Sequence, residues 1–386
     1  MTGVHAIIHS ARLISGGATI PDSWVAFAGA SISATGTGTT WRMLATSTTL
    51  VTDAHGRILA AGFVDIHCHG GGGRSFDDGA EAIAAALRVH RRHGTTRSVL
   101  SLVTADQADL ERRVAVVADL ARHDALILGA HLEGPFLDQT YRGAHDPNLL
   151  SAPDARRIER LLTQAQGQLR QITLAPELPG ALEAIAQLVD AGVVVAVGHS
   201  AADYATTLAA FDAGATILTH AFNGMKGIHH RAPGPVAAAM HRAGVTLEII
   251  NDGVHVHPEV VRLAFAGAPG RIALVTDAMA ATGASDGAYL LGSLAVTVSD
   301  GVARLRDGGS IAGSTLTLDV ALRRAVTEAG VPIVDAIAAL TETPARAIGR
   351  GHDLGLLNVG YAADAVLLSA DLEVEAVFAA GRPLVE

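Results

Sequence analysis

The 386-residue chain is 49% hydrophobic, 17% charged and carries 42 glycines, a composition that suits a well-buried α/β core with many tight turns and excludes a disordered chain or a small disulfide scaffold. A formal charge of −10 without a basic run, and few aromatic residues (8 Phe, 4 Tyr, 2 Trp), leave neither a phosphate-backbone footprint nor a base-stacking surface, so no nucleic-acid partner is expected. The 18 histidines are the first sign of metal or acid–base chemistry.

The single cysteine, Cys68, fits a reducing compartment. The N-terminal residues show no positive flank ahead of an apolar core, and no apolar run nears the roughly 18 residues of a bilayer span. A cytoplasmic protein with no membrane contact is therefore the expectation.

Residues 1–58 read as short β-rich pieces such as Val4-His5-Ala6-Ile7-Ile8 and Trp24-Val25-Ala26-Phe27, with no helical period. From about residue 60, apolar runs alternate with Ala/Arg-rich amphipathic stretches, as repeated βα units require. The pattern predicts strands over residues 62–69, 95–103, 126–133, 171–176, 193–199, 215–220, 245–251 and 271–277. Helices are expected over 78–93, 107–123, 182–191 and 317–329, with a last helical stretch over 334–348. Eight strand–helix repeats imply a (β/α)₈ barrel. The chain then returns to β-like pieces, so both termini are expected to build one small β-sandwich domain (1–58 and 352–386) beside a catalytic barrel (59–351).

In such a barrel the catalytic groups sit at the C-terminal ends of the strands. Those ends carry His67 and His69, Glu133, His199, His220, His255 and Asp277. Two residues apart on a strand, His67 and His69 face the same side and can address one ion, while Cys68 faces away as a packing residue. Glu133, His199 and His220 supply one carboxylate and two imidazoles, a set that leaves coordination positions open for water on a zinc-like ion. Asp277 is placed to take a proton from water and pass it to a leaving group. By contrast, His90, His93, His123 and His241 are expected to be solvated helix residues.

The stretches Gly62-Phe63-Val64-Asp65-Ile66-His67-Cys68-His69-Gly70, His131-Leu132-Glu133-Gly134-Pro135-Phe136, Thr219-His220-Ala221-Phe222-Asn223-Gly224-Met225 and Asp252-Gly253-Val254-His255 carry a resemblance along nearly the whole chain. It resembles the amidohydrolase superfamily and, within it, the N-acetylglucosamine-6-phosphate deacetylase family. Related branches bridge two metals with a carboxylated lysine after the fourth strand. Here that strand runs into Leu174-Ala175-Pro176-Glu177 and the only lysine, Lys226, lies past the sixth, so the resemblance gives that position to Glu133.

The resemblance implies Glu133, His199 and His220 as ligands of the main divalent metal, Zn²⁺ first with Fe²⁺, Mn²⁺ or Co²⁺ as alternatives, and Asp277 as the acid–base residue. His67 and His69 offer a second site, giving one or two ions per subunit. His145 and the Ala144 backbone are placed at the sugar or acetyl group, Asn223 and Gly224 near the phosphate, and Ile311, Ala312 and Gly313 along the pocket wall. Arg231 and His255 resemble the phosphate-binding side chains, one of them reaching across a homodimer interface. The implied reaction is hydrolysis of N-acetylglucosamine 6-phosphate to glucosamine 6-phosphate and acetate in amino-sugar catabolism. The alternatives are the galacto epimer, another N-acyl or cyclic amide, or a silent sugar-binding barrel.

Overall fold

The computed structural model describes residues 3–384. Strands Ala6–Ser15, Ala18–Ala28, Ser31–Thr37, Leu50–Asp53, Ile58–Ala61, Ala365–Leu368, Val374–Ala379 and Arg382–Pro383 form one mixed sheet of 8 strands, so the two termini do meet in a separate β unit. It is a single sheet, yet it closes like a sandwich. The rings of Phe27 and Phe378 lie 6.0 Å apart, although their strands are four places apart in sheet order. A flat sheet would separate them by roughly 19 Å at ~4.8 Å per strand, so the sheet curls over an apolar interior.

Strand alternation then joins this unit to the barrel. Along Ile58–Ala61, Leu59 and Ala61 point into the curled sheet while Ile58 and Ala60 enter the barrel's core, and Ala365–Leu368 divides in the same way. That two-sided burial explains why both segments are apolar without a break. Arg97 and Asp364 add a buried bidentate pair at the junction, Nε to Oδ2 at 2.6 Å and Nη2 to Oδ1 at 3.2 Å.

The barrel consists of β1 (Phe63–Cys68), β2 (Thr95–Val103), β3 (Ile127–Glu133), β4 (Leu169–Leu174), β5 (Val194–Val197), β6 (Ile217–Leu218), β7 (Thr246–Ile250) and β8 (Ile272–Val275), all parallel and paired in chain order. It closes where the Asp277 N–H donates to His67 O and the His69 N–H donates to Ala278 O, each at 2.8 Å. The predicted strands overlap these, to the residue for β2, while that expected over 171–176 begins at Leu169 and that expected over 215–220 is only two residues long. Helices α1 (Ala80–Arg92), α2 (Gln107–His123), α3 (Ala155–Ala165), α4 (Ala181–Asp190), α5 (Tyr204–Asp212), α6 (Gly234–His241), α7 (Pro258–Gly267) and α8 (Leu318–Thr327) follow the strands.

Two departures have physical causes. The helical stretch expected over 334–348 is divided into α9 (Ile333–Ala338) and α10 (Glu342–Ala347). Between them the carbonyls of Ala339 and Leu340 accept from Leu274 and Val64 at 2.8 Å, tying the break to barrel strands. Pro344 sits in the first turn of α10, where its missing N–H costs nothing. A three-stranded antiparallel meander (Gly287–Leu291, Leu294–Ser299, Val302–Leu305) was not expected at all. It packs Leu291, Val296, Val298 and Ala303 against Val103, Ala144, Met279 and Ala312, forming a wall over the barrel mouth.

Candidate active site

Strands β5, β6 and β8 stop two residues short of His199, His220 and Asp277. Each of these three then adopts a left-handed backbone, with φ of 48°, 25° and 46°. Such conformations cost about 1–3 kcal/mol and persist where the surroundings demand them. Here the sharp turn swings each side chain over the barrel mouth instead of letting it continue along the strand.

The Glu133 carboxylate lies at the centre. Its Oε1 is 3.0 Å from His199 Nε2, 3.2 Å from His220 Nε2 and 3.4 Å from His67 Nε2, and its Oε2 is 3.1 Å from His69 Nε2 and 3.3 Å from His145 Nε2. Asp277 Oδ1 faces the first-strand pair, 3.3 Å from His69 Nε2 and 3.6 Å from His67 Nε2.

The ring nitrogens on the far side decide what this cluster can do. His199 Nδ1 faces Tyr141 O at 2.9 Å and His220 Nδ1 faces Asn223 O at 3.1 Å. A carbonyl only accepts, so each Nδ1 carries a proton and each ring, when neutral, presents a bare Nε2. Those two Nε2 atoms are 2.9 Å apart beside a carboxylate oxygen. Two facing lone pairs and an anion require a cation among them, and a carboxylate with two imidazoles is the donor set of a zinc-type ion. His67, His69, Glu133 and Asp277 form a second buried group with ligand atoms within 4.8 Å of one another. The residues therefore fit a divalent ion in two neighbouring arrangements that share Glu133.

Electrostatics follow the same geometry. Burial opposes ionisation of Glu133, but the imidazoles around it, His67 first and then His145, His199 and His220, hold it well below the usual carboxylate range. For Asp277, burial is likewise outweighed by His67 and His69, which bring it down to about 2. His145 is lowered to about 4, chiefly by burial, and is neutral at physiological pH. At His255, burial is outweighed by Asp252, whose Oδ2 lies 2.7 Å from its Nδ1, and the imidazole is raised above its ordinary value.

A cavity of about 310 Å³ opens above the cluster. His69, Glu133, His199, His220 and Asp277 line it, together with the expected Ala144, His145, Asn223, Gly224, His255, Ile311 and Gly313. Gly224 (φ 60°) lies against the His199 ring, where a Cβ would come within 3.0 Å of Nδ1; no larger residue fits without displacing that imidazole.

Three expected residues lie elsewhere. His67 is fully buried beneath the cavity floor. Ala312 packs behind the wall and its N–H is taken by Ala303 O at 3.1 Å. Arg231 belongs to the exposed 226–232 loop and does not line the cavity in this single chain. Among the helix histidines, His90 is buried rather than solvated, with Nε2 2.9 Å from Gly70 O and 3.3 Å from Cys68 Sγ.

Several residues around the site escaped the sequence reading. Glu248 sits on β7, fully buried, with Oε2 3.0 Å from His67 Nδ1; a carboxylate inside Thr246-Leu247-Glu248-Ile249-Ile250 was the available signal. Thr104 Oγ1 is 2.9 Å from His145 Nδ1. Val103, Leu291 and Ser310 complete the wall, and only the meander brings the last two there.

Comparison with known proteins agrees with this geometry. The Amidohydrolase family model matches residues 58–384. The chain is 39% identical over 336 residues to an N-acetylgalactosamine-6-phosphate deacetylase of Escherichia coli O157:H7, covering 86% of this chain and 89% of that one. It is 38% identical over 329 residues to an N-acetylglucosamine-6-phosphate deacetylase of Vibrio furnissii, covering 84% and 82% of the two chains. An aspartate-to-alanine mutant of the N-acetyl-D-glucosamine-6-phosphate deacetylase of Mycobacterium smegmatis, solved in complex with N-acetyl-D-glucosamine-6-phosphate, superposes with a TM-score of 0.93 at 42% identity over 100% of both chains. With a closed parallel barrel, histidines and carboxylates gathered at its C-terminal mouth and relatives matched over most of their length, this chain belongs to the amidohydrolase family.

Proposed function

We propose that the chain is a metal-dependent deacetylase that hydrolyses N-acetylglucosamine 6-phosphate to glucosamine 6-phosphate and acetate, as a cytoplasmic homodimer serving amino-sugar catabolism. The observation that carries this reading is the Glu133 carboxylate set among the Nε2 atoms of five histidines beneath an open cavity. The similarity to deacetylases of phosphorylated amino sugars supports the substrate class.

Glu133, His199 and His220 would hold one divalent ion, Zn²⁺ first, and His67 and His69 with Glu133 and Asp277 a second. Bound there, a divalent ion supplies Lewis acidity, acidifying water and polarising the amide carbonyl. Asp277, ionised at neutral pH, takes a proton from the attacking water as the new C–O bond forms. It then returns that proton to nitrogen as the C–N bond breaks, because an unprotonated amine is a poor leaving group. Neutral His145, held by Thr104 at Nδ1, is the residue that in this reading steadies the charge developing on the carbonyl oxygen.

Among the residues that line the cavity, Asn223, the Gly224 backbone and His255 receive the phosphate in this reading. The Asp252 contact favours the charged form of His255, which suits a dianionic ligand. Arg231, outside the cavity of its own chain, reaches a phosphate across the homodimer interface in this reading.

The galacto epimer is the second reading, favoured by the 39% identity to an N-acetylgalactosamine-6-phosphate deacetylase. Acetate release from both epimeric phosphosugars and from their unphosphorylated forms tests the assignment. The highest kcat/KM is expected on N-acetylglucosamine 6-phosphate. A preference for the galacto epimer transfers the activity to the second reading, and equal rates with and without phosphate overturn both.

A further inference from the structure

Glu248 is a buried carboxylate that the proposed mechanism leaves unused. It lies midway along β7 with no exposed surface, where an unsatisfied charge would cost several kcal/mol. Its Oε1 accepts from the Gln171 side-chain amide at 2.9 Å. Its Oε2 lies 3.0 Å from His67 Nδ1 and accepts from the His220 backbone N–H at 3.3 Å. One side chain thus touches a candidate ligand on β1 and the backbone of another beyond β6.

The contact with His67 sets that ring apart from its neighbours. A carboxylate against Nδ1 holds the ring proton there and leaves Nε2 bare. That Nε2 is directed at the candidate ion site, 3.2 Å from His69 Nε2, 3.4 Å from Glu133 Oε1 and 3.6 Å from Asp277 Oδ1. His199 and His220 are backed by neutral backbone carbonyls instead. His69 Nδ1 is buried without a hydrogen-bond partner among the described residues. The first-strand pair therefore consists of one ring anchored by a full charge and one anchored by none, and its geometry rests on His67. A negative charge behind an imidazole also strengthens the ring as a donor.

We infer that Glu248 is a positioning residue that fixes His67 as an Nε2 donor and so governs occupancy of the first-strand ion site, separately from the Glu133, His199 and His220 site. This inference rests on the metal-dependent reading above. Gln171 and the His220 N–H hold the carboxylate in place from two further strands, so the tautomer of His67 is set by the closed barrel rather than by its own strand.

The experiment is a Zn²⁺ titration of the chelator-stripped full chain by calorimetry, with His67→Ala and His199→Ala used to assign each binding event. Wild type is expected to bind two ions. Glu248→Gln should weaken the first-strand ion by roughly 10- to 100-fold, the usual effect of losing an outer-shell partner, and change the other by less than about threefold. Nitrogen NMR of the metal-free chain gives a readout that packing alone would not move: the His67 Nδ1–H should show a hydrogen bond to a carboxylate in wild type and lose it in Glu248→Gln.

If Glu248→Gln fails to fold, Gln171→Leu, which removes the amide holding Oε1, should weaken the same ion by a smaller factor. Equal weakening of both ions, no weakening of either, or a single wild-type ion held by His199 overturns the inference while leaving the metal reading intact. A wild-type chain that takes up no divalent ion overturns the metal reading, and an unchanged His67 Nδ1–H signal in Glu248→Gln then overturns the positioning role as well.

Discussion

Strand β2 joins two buried polar regions built on opposite principles. Near its start, Arg97 meets Asp364 in a bidentate pair, and Asp364 Oδ1 also accepts the Ala380 N–H at 2.7 Å. One cation meets one anion, and both carboxylate oxygens are satisfied by protein donors. Just past its other end, Thr104 faces His145 in the site around Glu133. There His199 and His220 turn bare nitrogens toward the same oxygen, because their protons are committed to backbone carbonyls behind them. Buried charge is common to both regions, so burial does not distinguish a structural pair from a reactive centre. The distinction lies in whether the protein's own donors complete the hydrogen bonding, as they do at Arg97 and do not at Glu133.

The comparison breaks most severely if the mouth needs no added cation. His199→Ala or His220→Ala should lose bound metal and turnover together, a larger loss than the roughly 10²- to 10⁴-fold attached to a single acid–base group. Elemental analysis beside an acetate-release assay checks this, and a variant keeping both metal and turnover removes the ligand assignment. At the other end of β2, Arg97→Met leaves Asp364 buried without its cation and should lower stability by about 3–5 kcal/mol. Denaturant unfolding measures it; a change under 1 kcal/mol would mean that water reaches the junction and the two regions are less different than their burial suggests.

Asp277→Asn sharpens the contrast within the mouth, because the amide preserves size but cannot carry a proton at neutral pH. An expected fall in kcat of at least roughly 10²-fold, with the ion at Glu133, His199 and His220 retained, separates proton transfer from ligation at that site. A fall below tenfold would leave Asp277 without that role. Arg231→Ala should lower kcat/KM about 10- to 150-fold on the phosphorylated sugar, since a charge-assisted hydrogen bond is worth about 1.5–3 kcal/mol, and hardly affect the unphosphorylated one. Equal losses on both would make Arg231 a loop or interface residue.

The smallest effect concerns His255, which Asp252 raises above its ordinary value. Its contribution to stability is full below the unfolded value near pH 6.5 and is lost as pH rises through the raised folded value. In Asp252→Asn the NMR titration of His255 should move down, and KM for the phosphosugar should rise most at neutral pH and least in acid. An unmoved titration would show that some other group sets the His255 charge.

Sequence by itself determined the barrel and the identity of its central groups. Apolar-rich strand stretches alternating with amphipathic helices leave few alternatives to a closed parallel sheet. Because such barrels place chemistry at one rim, reading the strand ends was enough to single out His67, His69, Glu133, His199, His220 and Asp277, all of which lie in or directly beneath one cavity. Tertiary structure decided whatever depends on a partner distant in sequence. A proton on His67 is placed by Glu248, 181 residues away, and one wall of the cavity comes from a meander whose half-buried strands bury themselves against Val103, Ala144, Met279 and Ala312. His90 reads as a surface helix residue until β1 brings Gly70 O and Cys68 against it. Arg231 shows the reverse, a charge that the resemblance implies for the phosphate and the single chain leaves exposed on a loop. Periodicity records which face of an element is covered; which atoms cover it, and hence where each proton resides, is settled only when the barrel closes.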